Sequence, residues 1–361
     1  MLFIAVQASA RTWYIRADGT GDAPTIQVAV DSARAGDEIV LENGVFRGSG
    51  NRDINFHADS VSVRSGVGDP ATCIIDCDGM GRGFNWHSTI GVGPYLRSIR
   101  IAGLTVRNSS AACSSALYWN YGEVSVDNCV FESNQSAALY LKDAIGHFTN
   151  CVFRDNRLVL NTDQCDLYFT DCTIFRNSNI AILWYYTYAY FTRCTVYGNV
   201  GRFYVWDSSV GRFTSCTFWE NASGRGLFEL AVTSEYHGWY LYLTNCIVAN
   251  SSGPPIYRSS YPSPEEWRIS ISCTDIYGNR GGDWVGPTAS CNGKNGNFSG
   301  CPSFCAADLG DFDLCDGSPC LPGNHPTGYN CGLIGAWDAG CSCGPSKTEP
   351  STWGAIKAMF K

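Results

Sequence analysis

The sequence predicts an all-β fold: a right-handed parallel β-helix of about 22 residues per coil, with a short N-terminal capping helix and a Cys-rich C-terminal cap. Three observations lead there. Cys129, Cys151, Cys172, Cys194 and Cys216 recur at spacings of 22, 21, 22 and 22 residues. The last four stand in near-copies of one segment: "FTNCVFRDNR", "FTDCTIFRNS", "FTRCTVYGNV" and "FTSCTFWENA". The 361-residue chain is 13% aromatic and holds 39 Gly, with Asn, Ser and Thr among β-branched residues, a composition that favours strands and turns.

The elements follow in chain order. Residues 1–10, "MLFIAVQASA", are an apolar run ending in Ala8-Ser9-Ala10, the pattern of a signal peptide without its basic start; a buried first strand is the alternative. Residues 11–46 form the N-terminal cap and first coil. There "WYI" is strand-like, and a helix is expected over 25–35. Thr25 is its N-cap, Ile26, Ala29, Val30 and Ala33 share a face, and Gly36 marks the stop.

Residues 47–285 are the β-helix proper. Copies aligned on the cysteine place Phe131, Phe153, Ile174, Val196 or Phe218 two residues later, and Val126, Phe148, Phe169, Phe191 or Phe213 three residues earlier. One straight strand cannot bury positions −3, 0 and +2 together, so each coil must bend between them. Leu104 takes the cysteine slot one coil earlier, and Cys246 and Cys273 extend the series after insertions near 232–240 and 253–267. Residues 286–343 hold eight cysteines among Gly and Pro turns and read as a disulfide-stapled cap. Residues 344–361 are a linker and a short amphipathic tail, and no run approaches the ~20 apolar residues of a membrane helix.

Stacking turns columns into ladders. The repeat cysteines read first as a buried column of small apolar thiols, with disulfides or a metal site as alternatives. Their Cβ atoms would stack about 4.8 Å apart with parallel side chains, an arrangement that disfavours disulfides. Asn134, Asn156, Asn177, Asn199 and Asn221, five residues after each cysteine, predict a buried amide ladder that satisfies turn backbone.

"TIQVAVDSARAGDEIVLENGVF" at 25–46, "CIIDCDGMGRGF" at 73–84 and "GDFDLCDGSPCLPGN" at 310–324 resemble the cap and flanking segments of pectin-lyase-like right-handed β-helix repeat proteins of bacteria. The resemblance covers about residues 12–340 and implies the fold. That superfamily holds lyases, hydrolases, epimerases and adhesins, so the resemblance implies no single activity.

Chemistry must lie in the columns that vary. Nine residues before each cysteine stand Asn120, Lys142, Asp163, Tyr185 and Asp207, expected on one outer face with Asp143 and Asp166 beside them. Lys142, Asp143, Asp163, Asp166, Tyr185 and Asp207 are therefore the candidate ligand-binding residues. Lys142, Asp163 and Asp207 on adjacent coils are the group that would take sugar or Ca²⁺; a solvated strand face is the alternative. By parity Trp119, Trp184 and Trp206 share a column with Leu141 and are expected to be buried, whereas Tyr185, Tyr186 and Tyr188 cannot all point inward.

No catalytic residue emerges. "NTDQCD" at 161–166 resembles the Asn-Thr-Asp motif of polygalacturonases, but Leu183-Trp184 stands where their Asp-Asp pair belongs, and Gly146-His147-Phe148 is an incomplete Gly-His-Gly. Pectate-lyase motifs are not found. Nineteen cysteines and the apolar start point to a secreted or cell-surface protein. A net charge of −8 argues against a nucleic-acid partner.

Two functions fit. One is an exported protein that binds extracellular polysaccharide or cell-surface glycan along an aromatic- and Asp-bearing face, with lyase or glycoside-hydrolase chemistry as its enzymatic form. The other is a non-enzymatic adhesion or structural stalk. "FESN", "FRDN" and "FWEN" resemble the Phe-x-x-Asn repeats of chlamydial polymorphic outer-membrane proteins.

Overall fold

The computed structural model describes residues 9–58, 60–87, 98–110, 112, 115–231, 240–259 and 268–342. Most of the apolar start, the linker and tail, Cys113 and Cys343 therefore lie outside the described residues. Each coil supplies three short strands that pair, parallel and in register, with their equivalents on the coils before and after.

Sheet one contains Glu38–Leu41, Ser98–Ala102, Asp166–Thr170, Tyr188–Thr192, Val210–Thr214, Tyr240–Thr244 and Arg268–Ser272. Sheet two contains Phe84–His87, Leu158–Asp163, Ala181–Trp184, Phe203–Trp206 and Phe228–Ala231. Two long strands, Ser115–Asp127 and Ala137–Thr149, run through both sheets and join them. Sheet three has ten short strands, among them Val130–Glu132, Val152–Arg154, Thr195–Tyr197 and Thr217–Trp219.

The bends are left-handed residues at fixed places. On the coil of Cys151 they are Asp143 (φ 47°), Asn150 (φ 52°) and Asp155 (φ 57°); on the next coil they are Gln164, Asp171 and Arg176. Asn, Asp and Gly reach this region at low cost, which explains their density between strands. Where arginine takes such a slot, an acid one coil back ties it down: Arg176 to Asp155 and Arg193 to Asp171.

The interior is a stack of identical rungs. Phe148, Phe169, Phe191 and Phe213 follow one another with ring centroids 4.7, 4.6 and 4.8 Å apart. Cys129, Cys151, Cys172, Cys194, Cys216 and Cys246 are buried free thiols, each donating weakly to two backbone carbonyls. Burial pushes the Cys129, Cys172 and Cys216 thiols well up, so they stay protonated and inert. The amide ladder forms as a continuous chain: Asn134 to Asn156 (2.8 Å), Asn156 to Asn177 (3.0 Å), Asn177 to Asn199 (3.0 Å) and Asn199 to Asn221 (2.9 Å).

One assignment in the cysteine series is shifted. Cys273 takes the left-handed bend slot (φ 48°) and is disulfide-bonded to Cys331. Thr274 fills the buried slot, and Asn279, five residues on, continues the amide column. Cys73 is also in that column, one rung before Leu104.

The capping helix spans Ile26–Ser32, with the Thr25 side chain accepting from the Val28 amide and Ile26, Ala29 and Val30 buried. It ends at the Ala33 cap, short of Gly36. The C-terminal segment lies along the solenoid flank as well as following its last coil. Its small sheet of Phe304–Ala306, Asp311–Cys315 and Ala339–Cys341 is stapled by Cys305–Cys341, and Cys315 is disulfide-bonded too. Trp337 Nε1 donates to Thr195 Oγ1 (2.7 Å), the Ala336 amide to Thr217 Oγ1 (3.0 Å), and Asn245 Nδ2 to the Leu333 carbonyl (2.8 Å). This segment covers the outer face of the later rungs of sheet three, around Thr195–Tyr197 and Thr217–Trp219.

Candidate functional site

The end of sheet two brings a polar row into register. His87 pairs with Asn120, Asn120 with Lys142, Lys142 with Asp163, and Asp163 with Trp184. Asn120 Nδ2 meets His87 Nδ1 at 2.9 Å, and Lys142 Nζ donates to Asp163 Oδ2 at 2.7 Å. Trp184 and Trp206 continue the row edge to face, with ring centroids 4.0 Å apart.

The row differs from the expected column at two places. Counting back from the cysteine puts Tyr185 and Asp207 level with Asp163, but the bends there hold one more residue than their predecessors. Tyr185 and Tyr186 are both left-handed, as are Asp207 and Ser208. Trp184 therefore takes the rung, half-exposed, and so does Trp206, instead of sharing Leu141's buried column. Trp119 alone of the three tryptophans is fully buried there. Asp207 is 0% exposed and cannot serve a ligand from solvent. Tyr185 is exposed at the bend.

Asp143 and Asp166 come together one step further along the chain. They line a shallow depression of about 380 Å³ with Ile145, Gln164, Tyr186 and Tyr188. Its construction is repetitive. Asp143, Gln164 and Tyr186 are the left-handed residues of three successive bends, and Ile145, Asp166 and Tyr188 are the outward residues that open the sheet-one strands after them. Tyr188 is 39% exposed and stacks on no other ring among the described residues. Gln164 and His87 were not among the expected site residues, and Tyr186 and Tyr188 were expected only as rings that, with Tyr185, cannot all point inward; both are exposed. Cys165 and Thr187, which follow the bends in a shared buried rung, would have revealed the shift.

The electrostatics separate binding from base chemistry. The hydrogen bond and charge of Asp163 raise the Lys142 ammonium above its ordinary value. Lys142 is thus held as a cation, the wrong form for removing a proton α to a carboxylate. Beside it, Asn120 Oδ1 and Asp163 Oδ1 are both buried and accept no hydrogen bond. Closed to solvent like Asp207, neither atom is open to a ligand, so the outward groups of this region are those that line the depression. Among the described residues, the one trio of potential ligands close enough to share a metal ion is Cys305, Cys315 and Cys341, all disulfide-bonded. Lys142, Asp163 and Asp207 form no such cluster.

A family model described as a right-handed β-helix region matches residues 95–237. A solved structure of pectate lyase Pel9A superposes with a TM-score of 0.57, at 11% identity, over 92% of this chain and 97% of that one. The deglycosylated pectin methylesterase from Aspergillus niger reaches only 0.38, at 12% identity, over 76% of this chain and 86% of its own. No protein of curated function matches the sequence. The family-model match and the Pel9A superposition show the fold, a right-handed parallel β-helix, and leave the activity to the chain's own residues.

Proposed function

We propose that the protein is an exported β-helix that binds glycan across the bends between sheets two and one. The observation that carries this reading is the shallow depression that sets the Asp143 and Asp166 carboxylates, acceptors for sugar hydroxyls, beside the exposed Tyr188 ring, the kind of face on which a pyranose stacks. The Lys142 side chain, 37% exposed on the neighbouring rung, adds a donor. Export is supported by the disulfides Cys273–Cys331 and Cys305–Cys341. With Lys142 held protonated by Asp163, binding is favoured over elimination by that residue.

A glycan array probed with wild type and Tyr188→Ala tests the reading. Wild type should retain a family of related glycans that the variant loses. Absence of hits over a broad neutral and acidic panel would leave the adhesion or structural alternative. Release of unsaturated product from any bound polysaccharide would overturn the non-catalytic part.

A further inference from the structure

Four sheet-one strands continue the face beyond the depression: Tyr188–Thr192, Val210–Thr214, Tyr240–Thr244 and Arg268–Ser272. They contain no Asp or Glu, in a chain whose net charge is −8. Arg212 projects from the second strand and is exposed. Its guanidinium carbon lies 4.5 Å from the Tyr242 ring centre and 5.9 Å from that of Tyr190, the residues in register on either side. It makes no ion pair with any described residue. Arg268, in register with Tyr240, is exposed and likewise has no ion pair among the described residues.

Six arginines elsewhere on the coils are each answered by an acid on a neighbouring rung. Arg64 meets Glu38, Arg107 meets Asp76, Arg154 meets Glu132, Arg176 meets Asp155, Arg193 meets Asp171 and Arg202 meets Glu229. The repeat readily places such an acid, but among the described residues none stands by Arg212 or Arg268, and neither guanidinium is tied to a carboxylate there. Guanidinium forks match carboxylate and sulfate oxygens in pairs, and tyrosine rings beside the fork hold it without consuming its donors.

We infer that this face is a subsite for the anionic groups of an acidic glycan, carboxylate or sulfate ester; the inference rests on the glycan-binding reading of the adjoining site. Arg212 and Arg268 stand two rungs apart, roughly 10 Å along the solenoid at the usual strand spacing. A chain lying along the axis would present separate charged residues to each. The four strands bring no carboxylate that could share a bridging cation with the ligand. Recognition therefore runs through the arginines directly and persists in chelator.

The test is calorimetric titration of the full chain, in chelator, with neutral, carboxylated and sulfated oligosaccharides of matched length. Anionic oligosaccharides should bind at least roughly tenfold more tightly than neutral ones, and added salt should erode that margin. Arg212→Gln and Arg268→Gln should each lower the anionic affinity by roughly tenfold and leave neutral affinity and the thermal melt unchanged. The carboxylated and sulfated arms identify which anion the face prefers. Equal affinity for neutral and anionic ligands, indifference to both arginine changes, or loss of binding in chelator overturns the anionic subsite while the glycan reading stands. Failure of every oligosaccharide to bind overturns both.

Discussion

Sheets one and three both carry aromatic ladders on their outer faces, and among the described residues only the one on sheet three is covered. Along sheet three one outward column runs Asp76, Arg107, Glu132 and Arg154, alternating in charge, and then Phe175, Tyr197 and Trp219. The change from charge to ring coincides with the C-terminal segment: Phe312 packs 4.9 Å from Tyr197, and Phe304 edge-on 5.2 Å from Trp219. On sheet one, His147, Tyr168 and Tyr190 stack at 4.9 and 5.0 Å, nearly parallel, with Tyr168 38% exposed. There the ring faces satisfy one another and the edges and hydroxyls meet water. An aromatic ladder is thus not in itself a docking face: on sheet three the rings need a cover, whereas on sheet one they supply much of it themselves.

The covered face depends on a carboxyl that should be neutral. Asp275 lies under the C-terminal segment, where burial pushes it up to about 8; the Gly300 amide donates to Oδ1 (2.9 Å) and the Cys320 thiol to Oδ2 (3.5 Å). The folded protein holds this proton while the unfolded chain loses it near the ordinary carboxylate range. Stability from this group is therefore fully present at pH 3 to 4, falls as pH rises, and is lost by about pH 8. The loss is bounded at roughly 6 kcal/mol. Asp275→Asn should flatten that slope, and hydrogen exchange at Tyr197 and Trp219 should show the cover loosening with pH in wild type only. A wild-type slope that survives in the variant would locate the pH dependence elsewhere.

Truncating a ring should separate the two faces next. Trp219→Ala removes a ring packed beneath the C-terminal segment and should cost about 3 kcal/mol in chemical denaturation. Tyr190→Ala should cost about 1 kcal/mol, the worth of its stacking with Tyr168. Equal costs would mean that sheet one is also packed against something. Replacing Cys273 and Cys331 by Ser should cost about 2–4 kcal/mol, and exchange should rise first on sheet three. In the denatured, unreduced protein Cys151 should alkylate as a free thiol, since its rung-mates are free as well.

How much of this was legible follows from what repeats. The coil length, the Phe and Cys core and the Asn ladder were readable because burial imposes the same demand on every rung. The bends were readable as places but not as lengths, because the 22 residues that carry a second left-handed residue at 185–186 also separate Cys129 from Cys151, whose bend at Asp143 holds one. That one residue separated Tyr185 and Asp207 from Lys142 and Asp163 and brought Trp184 and Trp206 into their row. Cys273 was misplaced for a related reason: Cys and Thr both fit the small buried slot, and only Asn279 in the amide column shows that Thr274 fills it. The lateral docking of the C-terminal segment rests on contacts 119 and 142 residues apart in the chain, which carry no periodic signal.

The smallest stability effects belong to the bare site, and their smallness is what makes them diagnostic. Lys142→Ala breaks an ion pair whose side chains are 37% and 24% exposed, so solvent screening leaves it about 0.5 kcal/mol of stability. Tyr188→Ala removes a ring that packs on no other among the described residues and should cost less than about 0.5 kcal/mol. If sheet one's opening residues serve a ligand, both variants should melt like wild type and still lose glycan binding by about tenfold, a dissociation set free from folding. A Tyr188→Ala protein that binds normally would return this ring to the solvated strand face, and the comparison between the two sheets would then be one of packing alone.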